Sequence, residues 1–206
     1  MMRRWLIPTA MVCLGLLAPA VRAGLLPVSV SITPEADKYR FTYAIVLPAE
    51  SKLSAGDFFT IYDFAGYQAG SATYSPPPAL PSAASDWSIA ISNVGTTPDR
   101  LIPDDNSALP NLTWTYSGPT IDTGKTGLGN FWAVSIYGDT TAAAFTAQTH
   151  RTSDGKLDSN ITDTTVPVPV APSPGVPEPA TLALAGIGLP FMVFARGIRR
   201  RIAVSA

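Results

Sequence analysis

The stretch KYRFTYAIVL, residues 38–47, decides the fold class of this chain. Its apolar side chains occupy every second position, namely Tyr39, Phe41, Tyr43, Ile45 and Leu47. Polar side chains stand on the other parity at Lys38, Arg40 and Thr42. A strand with one face in a core and the other in water requires this period of two, so the stretch predicts a half-buried β-strand.

The same period recurs along the chain. Apolar alternation is found at residues 28–32, 87–92, 112–116, 132–136 and, less fully, 145–147. Residues 57–64, DFFTIYDF, are apolar on both parities, which is typical of a central strand covered on both faces. Clusters of Gly, Pro, Asn and Asp separate these segments. The sequence therefore predicts an all-β body over residues 24–165, an antiparallel β-sandwich of about seven or more strands with jelly-roll or immunoglobulin-like connections.

Three tryptophans, Trp87, Trp114 and Trp132, lie on the apolar parity of their predicted strands. Exposed coplanar aromatics would form a platform on which sugar rings stack, whereas this parity favours packing in the core. We therefore predict that all three indoles point inward.

The first 23 residues carry the signature of a secretory signal peptide. Arg3 and Arg4 precede an apolar run over residues 5–18, and small residues surround Ala23. Cleavage after Ala23 would also remove Cys13, the single cysteine of the chain. The exported body is therefore predicted to fold without disulfides or thiolate metal sites.

Charge is distributed unevenly along the chain. The net charge of the whole sequence is −1, but residues 24–165 contain fourteen carboxylates against seven Lys or Arg. An acidic body is repelled by a phosphate backbone, so no nucleic-acid partner is predicted.

The sequence GTTPDRLIPDDNSALPN, residues 95–111, is longer than a hairpin needs and contains Asp104 and Asp105. Carboxylate oxygens are ligands that Ca²⁺ prefers, and paired carboxylates serve glycoside hydrolysis. No calcium-loop motif is matched, so we predict solvated loop acids, no catalytic residue and no metal or cofactor, with Ca²⁺ binding as the alternative. The acids of DGKLDSNITD, residues 154–163, are interpreted in the same way.

Three other polar residues, His150, Asn111 and Asn160, are of types that can serve in catalysis or carry a glycan. His150, the single histidine of the chain, has no cysteine partner and follows no nucleophile motif, so it is predicted to be a surface residue. Asn111 and Asn160 each begin an N-x-T sequon and are therefore potential glycan acceptors.

The composition changes abruptly at Val166. Residues 166–179, VPVPVAPSPGVPEP, contain six prolines and predict an extended polyproline linker. Residues 180–206 then predict a single hydrophobic transmembrane helix with a basic tail. The positive-inside rule places the basic cluster in the cytoplasm and the acidic body outside the membrane. That cluster consists of Arg196, Arg199, Arg200 and Arg201.

The order of these C-terminal parts resembles the PEP-CTERM sorting signal of exported bacterial proteins. Pro177, Glu178 and Pro179 stand where that family has its tripeptide motif, followed by an apolar helix and terminal arginines. The resemblance covers residues 176–201 and implies recognition and cleavage near the motif by exosortase, a membrane-embedded protease-like enzyme. It also implies an association with extracellular polysaccharide and biofilm.

From these parts we expect a non-enzymatic surface or matrix protein. The signal peptide would export it, the C-terminal helix would hold it in the cytoplasmic membrane, and exosortase would deliver the body to the cell surface or the matrix. Two alternatives stay open at this point. One is a carbohydrate-binding module on the same export route, and the other is a secreted hydrolase that uses loop carboxylates.

Overall fold

The computed structural model describes residues 24–78, 80, 84–122 and 124–169. The predicted signal peptide, the tripeptide motif, the hydrophobic helix and its arginines all lie outside these residues. In the part of the chain that is described, no helix is long and apolar enough to span a membrane.

Ten strands follow one another along the described chain. They are β1 (Leu26–Glu35), β2 (Lys38–Leu47), β3 (Ser51–Lys52), β4 (Phe58–Ile61), β5 (Thr73–Ser75), β6 (Trp87–Ser92), β7 (Asn111–Tyr116), β8 (Thr126–Ser135), β9 (Thr140–Arg151) and β10 (Leu157–Pro167). A short 3-10 helix, Ala84–Asp86, leads into β6. The predicted all-β class is confirmed.

The strands form two antiparallel sheets. The first has the order β1-β2-β8-β5, and the second has the order β10-β9-β4-β7-β6, with β3 paired to the end of β9. Phe131 of β8 in the first sheet contacts Phe59 of β4 and Trp87 of β6 in the second, each with ring centroids 4.9 Å apart. The inner faces of the two sheets therefore meet in a shared aromatic core, as in a β-sandwich.

The strand β2 behaves as its sequence predicts. Phe41, Tyr43, Ile45 and Leu47 are buried, whereas the residues between them are half-buried on the outer face. Tyr43 also donates a hydrogen bond from its hydroxyl to the Thr165 carbonyl at 2.9 Å, which ties β2 to β10 across the sandwich.

The strand β4 is covered on both faces, as its double apolar parity predicts. Phe59 and Ile61 point into the core, and Thr60 is also fully buried on the outer side. The cover is the segment of residues 93–110 between β6 and β7, named here the covering loop. Thr60 donates its hydroxyl to the Thr96 carbonyl at 2.7 Å, and the Tyr62 hydroxyl lies 2.6 Å from Thr97 Oγ1. A side chain on Gly95 would begin 2.3 Å from the Tyr62 ring, so the loop lies directly on that ring.

Three strands were missed by the sequence analysis. β3 has only two residues, and β5 lies in a segment whose prolines predict a loop. β10 contains the polar residues interpreted above as loop acids, and it runs on through Pro167. Val166 is fully buried, so the first two residues of the predicted linker belong to the sheet.

The predicted facing of β8 is wrong, and the edge strands β1 and β6 are less buried than predicted. In β8 the buried parity is Phe131, Ala133 and Ser135, so Trp132 and Val134 lie on the outer face. In the edge strands β1 and β6, residues of the expected inner parity are only partly covered, with Val28 58% and Ile91 39% exposed. Each of these strands is the outermost of its sheet and has a neighbouring strand on one side only, so fewer side chains surround it.

Candidate functional site

The outer face of the first sheet is open and has Trp132 at its centre. In the sheet register, Trp132 lies between Thr42 of β2 and Thr73 of β5. Trp87 and Trp114 are buried in the core as predicted, so Trp132 is the exception. The sheet therefore presents one half-buried indole among hydroxyl groups, an arrangement that offers both a stacking surface and hydrogen-bonding groups.

Arg40 fixes the surroundings of this indole. Its guanidinium carbon lies 5.4 Å from the centre of the Trp132 ring, and its Nη2 atom forms an ion pair with Glu35. A cation at this distance is attracted by the face of the ring. Arg40 therefore contacts the Trp132 ring and pairs with Glu35 at the same time.

A second concave feature lies beside the covering loop. It is a pocket of about 320 Å³ between the loop and the β9–β10 edge. Its lining combines carboxylate acceptors, a guanidinium donor and an amide, and consists of Pro98, Asp99, Arg100, Gln148, Leu157, Asp158 and Ser159. Arg100 has a φ of 67°, a region that residues other than glycine rarely adopt. The pocket has room and polarity for one small hydrophilic group, but no aromatic ring lines it.

The loop acids singled out in the sequence take part in a structural network. Asp105 accepts hydrogen bonds from the Gly95 amide at 3.2 Å and from Asn111 Nδ2 at 2.8 Å. Asp63 accepts one from the Asn106 amide at 2.9 Å. Burial and the like charges of Asp105 and Asp104 raise the pKa of Asp63. Asp105 therefore anchors the covering loop, whereas Asp104 is exposed.

No arrangement of acids in the described ranges resembles a metal centre. No group of three or more His, Cys, Asp or Glu side chains there is placed to hold an ion. In the second acidic segment, Asp154 pairs with Arg151 at 3.0 Å in the turn between β9 and β10. Hydrogen bonding from the Lys156 amide, together with Arg151, lowers the pKa of Asp154.

His150 is not simply a surface residue, as the sequence predicted. Its side chain is 26% exposed, and its Nδ1 atom lies 2.9 Å from Oδ1 of the fully buried Asp57. Asp57 also accepts a hydrogen bond from the Ser54 amide at 2.7 Å, and burial raises the pKa of this carboxyl. The pair joins the start of β4 to the end of β9. No sequence signal links the two residues, because 93 positions separate them.

The side-chain amides of both sequon asparagines form hydrogen bonds within the folded body. Asn111 is buried, with Oδ1 accepting from the Asp63 amide at 2.8 Å and Nδ2 donating to Asp105. Asn160 is buried and donates from Nδ2 to the Leu25 carbonyl at 3.0 Å. A glycan needs an exposed amide nitrogen, so the folded body offers neither asparagine as an acceptor.

Comparison with protein families gives a match at the C-terminus. The family described as "PEP-CTERM protein-sorting motif" matches residues 175–201. This span includes Pro177, Glu178 and Pro179 and extends to Arg201, so the resemblance drawn from the sequence is confirmed. The chain carries the sorting signal of proteins that are targeted to exosortase. Comparison with curated proteins found no match.

Proposed function

We propose that this protein is an exported, non-enzymatic β-sandwich that exosortase cuts from its C-terminal membrane helix and that then resides at the cell surface or in the extracellular polysaccharide. The observation that carries this proposal is the match to the sorting motif at residues 175–201. A signal peptide at residues 1–23 would start the export.

The organisation of the body supports cutting at both ends. Its core residues run from Leu25 to Val166, between the two predicted cleavage regions. The last strand ends at Pro167, ten positions before Pro177. The Val168 amide also donates to the Asp139 carbonyl at 2.9 Å, which fixes the chain where it leaves the sandwich. A cut near the tripeptide would therefore leave the folded body intact.

Processing can be tested by intact-mass analysis of the exported protein from cells with and without exosortase. We expect the wild-type mass to lack the hydrophobic helix and its arginines only when exosortase is present. Glu178→Ala should retain the full C-terminus in both strains, whereas the conservative control Val176→Ile should be cut normally. If the wild-type protein keeps residues 196–206 in cells that contain exosortase, the processing hypothesis is rejected. The C-terminal helix would then be a permanent anchor.

A second candidate function, polysaccharide binding by the body, is favoured by the open face around Trp132. The ring surface, the Arg40 guanidinium and the hydroxyls of Thr42 and Thr73 supply the stacking and hydrogen bonding that sugars require. Affinity electrophoresis through gels that contain the exopolysaccharide of the producing strain tests this idea. Trp132→Ala should abolish the retardation, whereas Val134→Ala on the same face should keep it. Equal retardation of both variants would reject this site.

A further inference from the structure

The edge strand β6 differs from the other edges of the sandwich. β1 contains Pro27 and Pro34 and a bulge, β5 is three residues long and precedes a proline, and β10 carries Asp158 and Asp163. Charges, prolines, bulges and short length are the devices that keep edge strands from pairing with other chains. β6, WSIAIS, has none of them, and its pairing with β7 is regular.

The exposed main chain of β6 can be located from the surrounding hydrogen bonds. The Asp86 carbonyl accepts from the Ser117 amide at 2.7 Å, and the Tyr116 amide donates to the Asp57 carbonyl on the other side at 2.8 Å. Because the direction of main-chain groups alternates along a strand, Ser88, Ala90 and Ser92 bond to β7. The N–H and C=O groups of Ile89 and Ile91 therefore point away from the sheet.

We infer that β6 pairs antiparallel with β6 of a second copy, about a two-fold axis at Ala90. This pairing joins the second sheet of one copy to the second sheet of the other as one continuous sheet. The sequence Ser88-Ile89-Ala90-Ile91-Ser92 is the same in both directions. In an isologous contact residue i meets residue j of the copy and j meets i, so this palindrome places identical residues opposite one another. The inference is independent of processing by exosortase.

The register about Ala90 satisfies both the backbone and the side chains. Ile89 of each copy faces Ile91 of the other, so the outward main-chain groups form four hydrogen bonds. The isoleucines, 36% and 39% exposed in the single chain, cover one another on the inner face. On the outer face Ser88 meets Ser92, and Ala90 meets its own copy.

Charge and size indicate what kind of dimer this is. Residues 87–98 contain no charged side chain, so the contact brings no like charges together. A six-residue strand pair buries less than the ~800 Å² per partner that is typical of stable interfaces. We therefore expect dimerisation that depends on protein concentration, and it would become extensive where the protein accumulates.

Disulfide trapping of the exported protein tests the register. Across the two-fold axis, the Ala90 Cβ atoms stand about 5 Å apart, whereas the Ser88 Cβ atoms are offset by four residues, about 13 Å. Only the first distance permits a disulfide. Under mild oxidation, Ala90→Cys should yield at least ~10-fold more covalent dimer than Ser88→Cys, with wild type as the background. Equal cross-linking of the two variants would mean random collision and would overturn the inference.

Sedimentation provides a second, independent measurement. Wild type and Ala90→Thr should shift from monomer to dimer as concentration rises. Ala90→Lys should remain monomeric, because two ammonium groups would meet at the axis, and its exposed position leaves the fold intact. A monomeric wild type at every soluble concentration, a dimer that tolerates Ala90→Lys, or a different protein copurifying in place of the second copy would each contradict the pairing.

Discussion

The two outer faces of the sandwich are treated in opposite ways. Over the second sheet, the covering loop shields β4 and uses its carbonyl and hydroxyl groups to satisfy Thr60 and Tyr62. Over the first sheet, within the residues that the structure describes, Arg40, Thr42 and Trp132 face outward and are half-buried. The length of the covering loop therefore follows from the need to bury a strand that is apolar on both sides, whereas the outer face of the first sheet keeps a half-buried indole.

The largest effect should come from Tyr62→Ala, which removes a fully buried ring from under the loop. Loss of the ring leaves a cavity and removes a hydrogen-bond partner from the Thr97 and Thr146 hydroxyls. We expect the free energy of unfolding to fall by about 3–5 kcal/mol. Urea unfolding measures this loss. Tyr62→Phe is the control and should cost about 1–2 kcal/mol, since it removes only the hydroxyl. An Ala variant as stable as the Phe variant would show that the loop does not seal this face.

The next largest effect is expected at Gly95, where the loop touches that ring. An added methyl group would begin 2.3 Å from Tyr62 Cε1, so the loop or the ring must shift. Overpacking of this kind costs about 1–3 kcal/mol. Gly95→Ala should lower the thermal midpoint and expose the loop to limited proteolysis. Gly127→Ala is a control for a glycine with open space around it and no positive φ, and unchanged proteolysis of Gly95→Ala would contradict the close approach.

A smaller effect concerns pH and Asp57, at the start of the covered strand. Burial raises the pKa of Asp57 above its ordinary 3.8, so the folded state holds the proton more tightly than the unfolded state. The contribution of this carboxyl to stability is therefore fully present below pH 3.8 and is lost as pH rises through the folded pKa. Asp57→Asn should flatten this decline in urea unfolding as the pH rises above 3.8.

Asp154→Asn provides the matched control for the pH experiment. The pKa of Asp154 is lowered, so its contribution has the opposite sign and is lost as pH falls. This variant should not flatten the decline. If Asp57→Asn follows the wild-type curve throughout, the carboxyl does not carry the pH dependence.

The smallest effect is expected on the open face. Trp132→Ala removes a half-buried ring and its contact with Arg40, and we expect a loss of at most about 1 kcal/mol in urea unfolding. Trp114→Ala, in the core, is the contrasting variant and should lose several times more. A Trp132 variant as unstable as the Trp114 variant would place both indoles in the core and remove the distinction between the faces.

The sequence predicts a strand correctly where its apolar residues clearly occupy one parity, and also where they occupy both parities. β2 and β4 are correct for this reason. The facing of β8 is wrong because Phe131 and Ala133 on one parity compete with Trp132 and Val134 on the other, and periodicity cannot choose between two apolar sets. The polar strand β10 was missed because its place is set by pairing with β9, a tertiary contact that its own residues do not indicate.

The candidate sites divide in the same way. The sorting motif is local and short, so the order of its parts in the sequence was sufficient to recognise it. The Asp57–His150 pair, the Arg40–Trp132 contact and the pocket at Arg100 each join segments far apart in the chain. Such neighbours are created by the sheet register, which no single segment encodes.

The antiparallel register of β10 with β9 has a mechanical consequence. The chain leaves the sandwich at Pro167, after eleven consecutive residue pairs between Leu157–His150 and Pro167–Thr140. A pull on the C-terminal segment along the strand axis loads these pairs together in shear, whereas a pull across the sheet opens them one at a time from Pro167. A body tethered through its C-terminus would therefore resist fluid drag to a degree that depends on the direction of the flow.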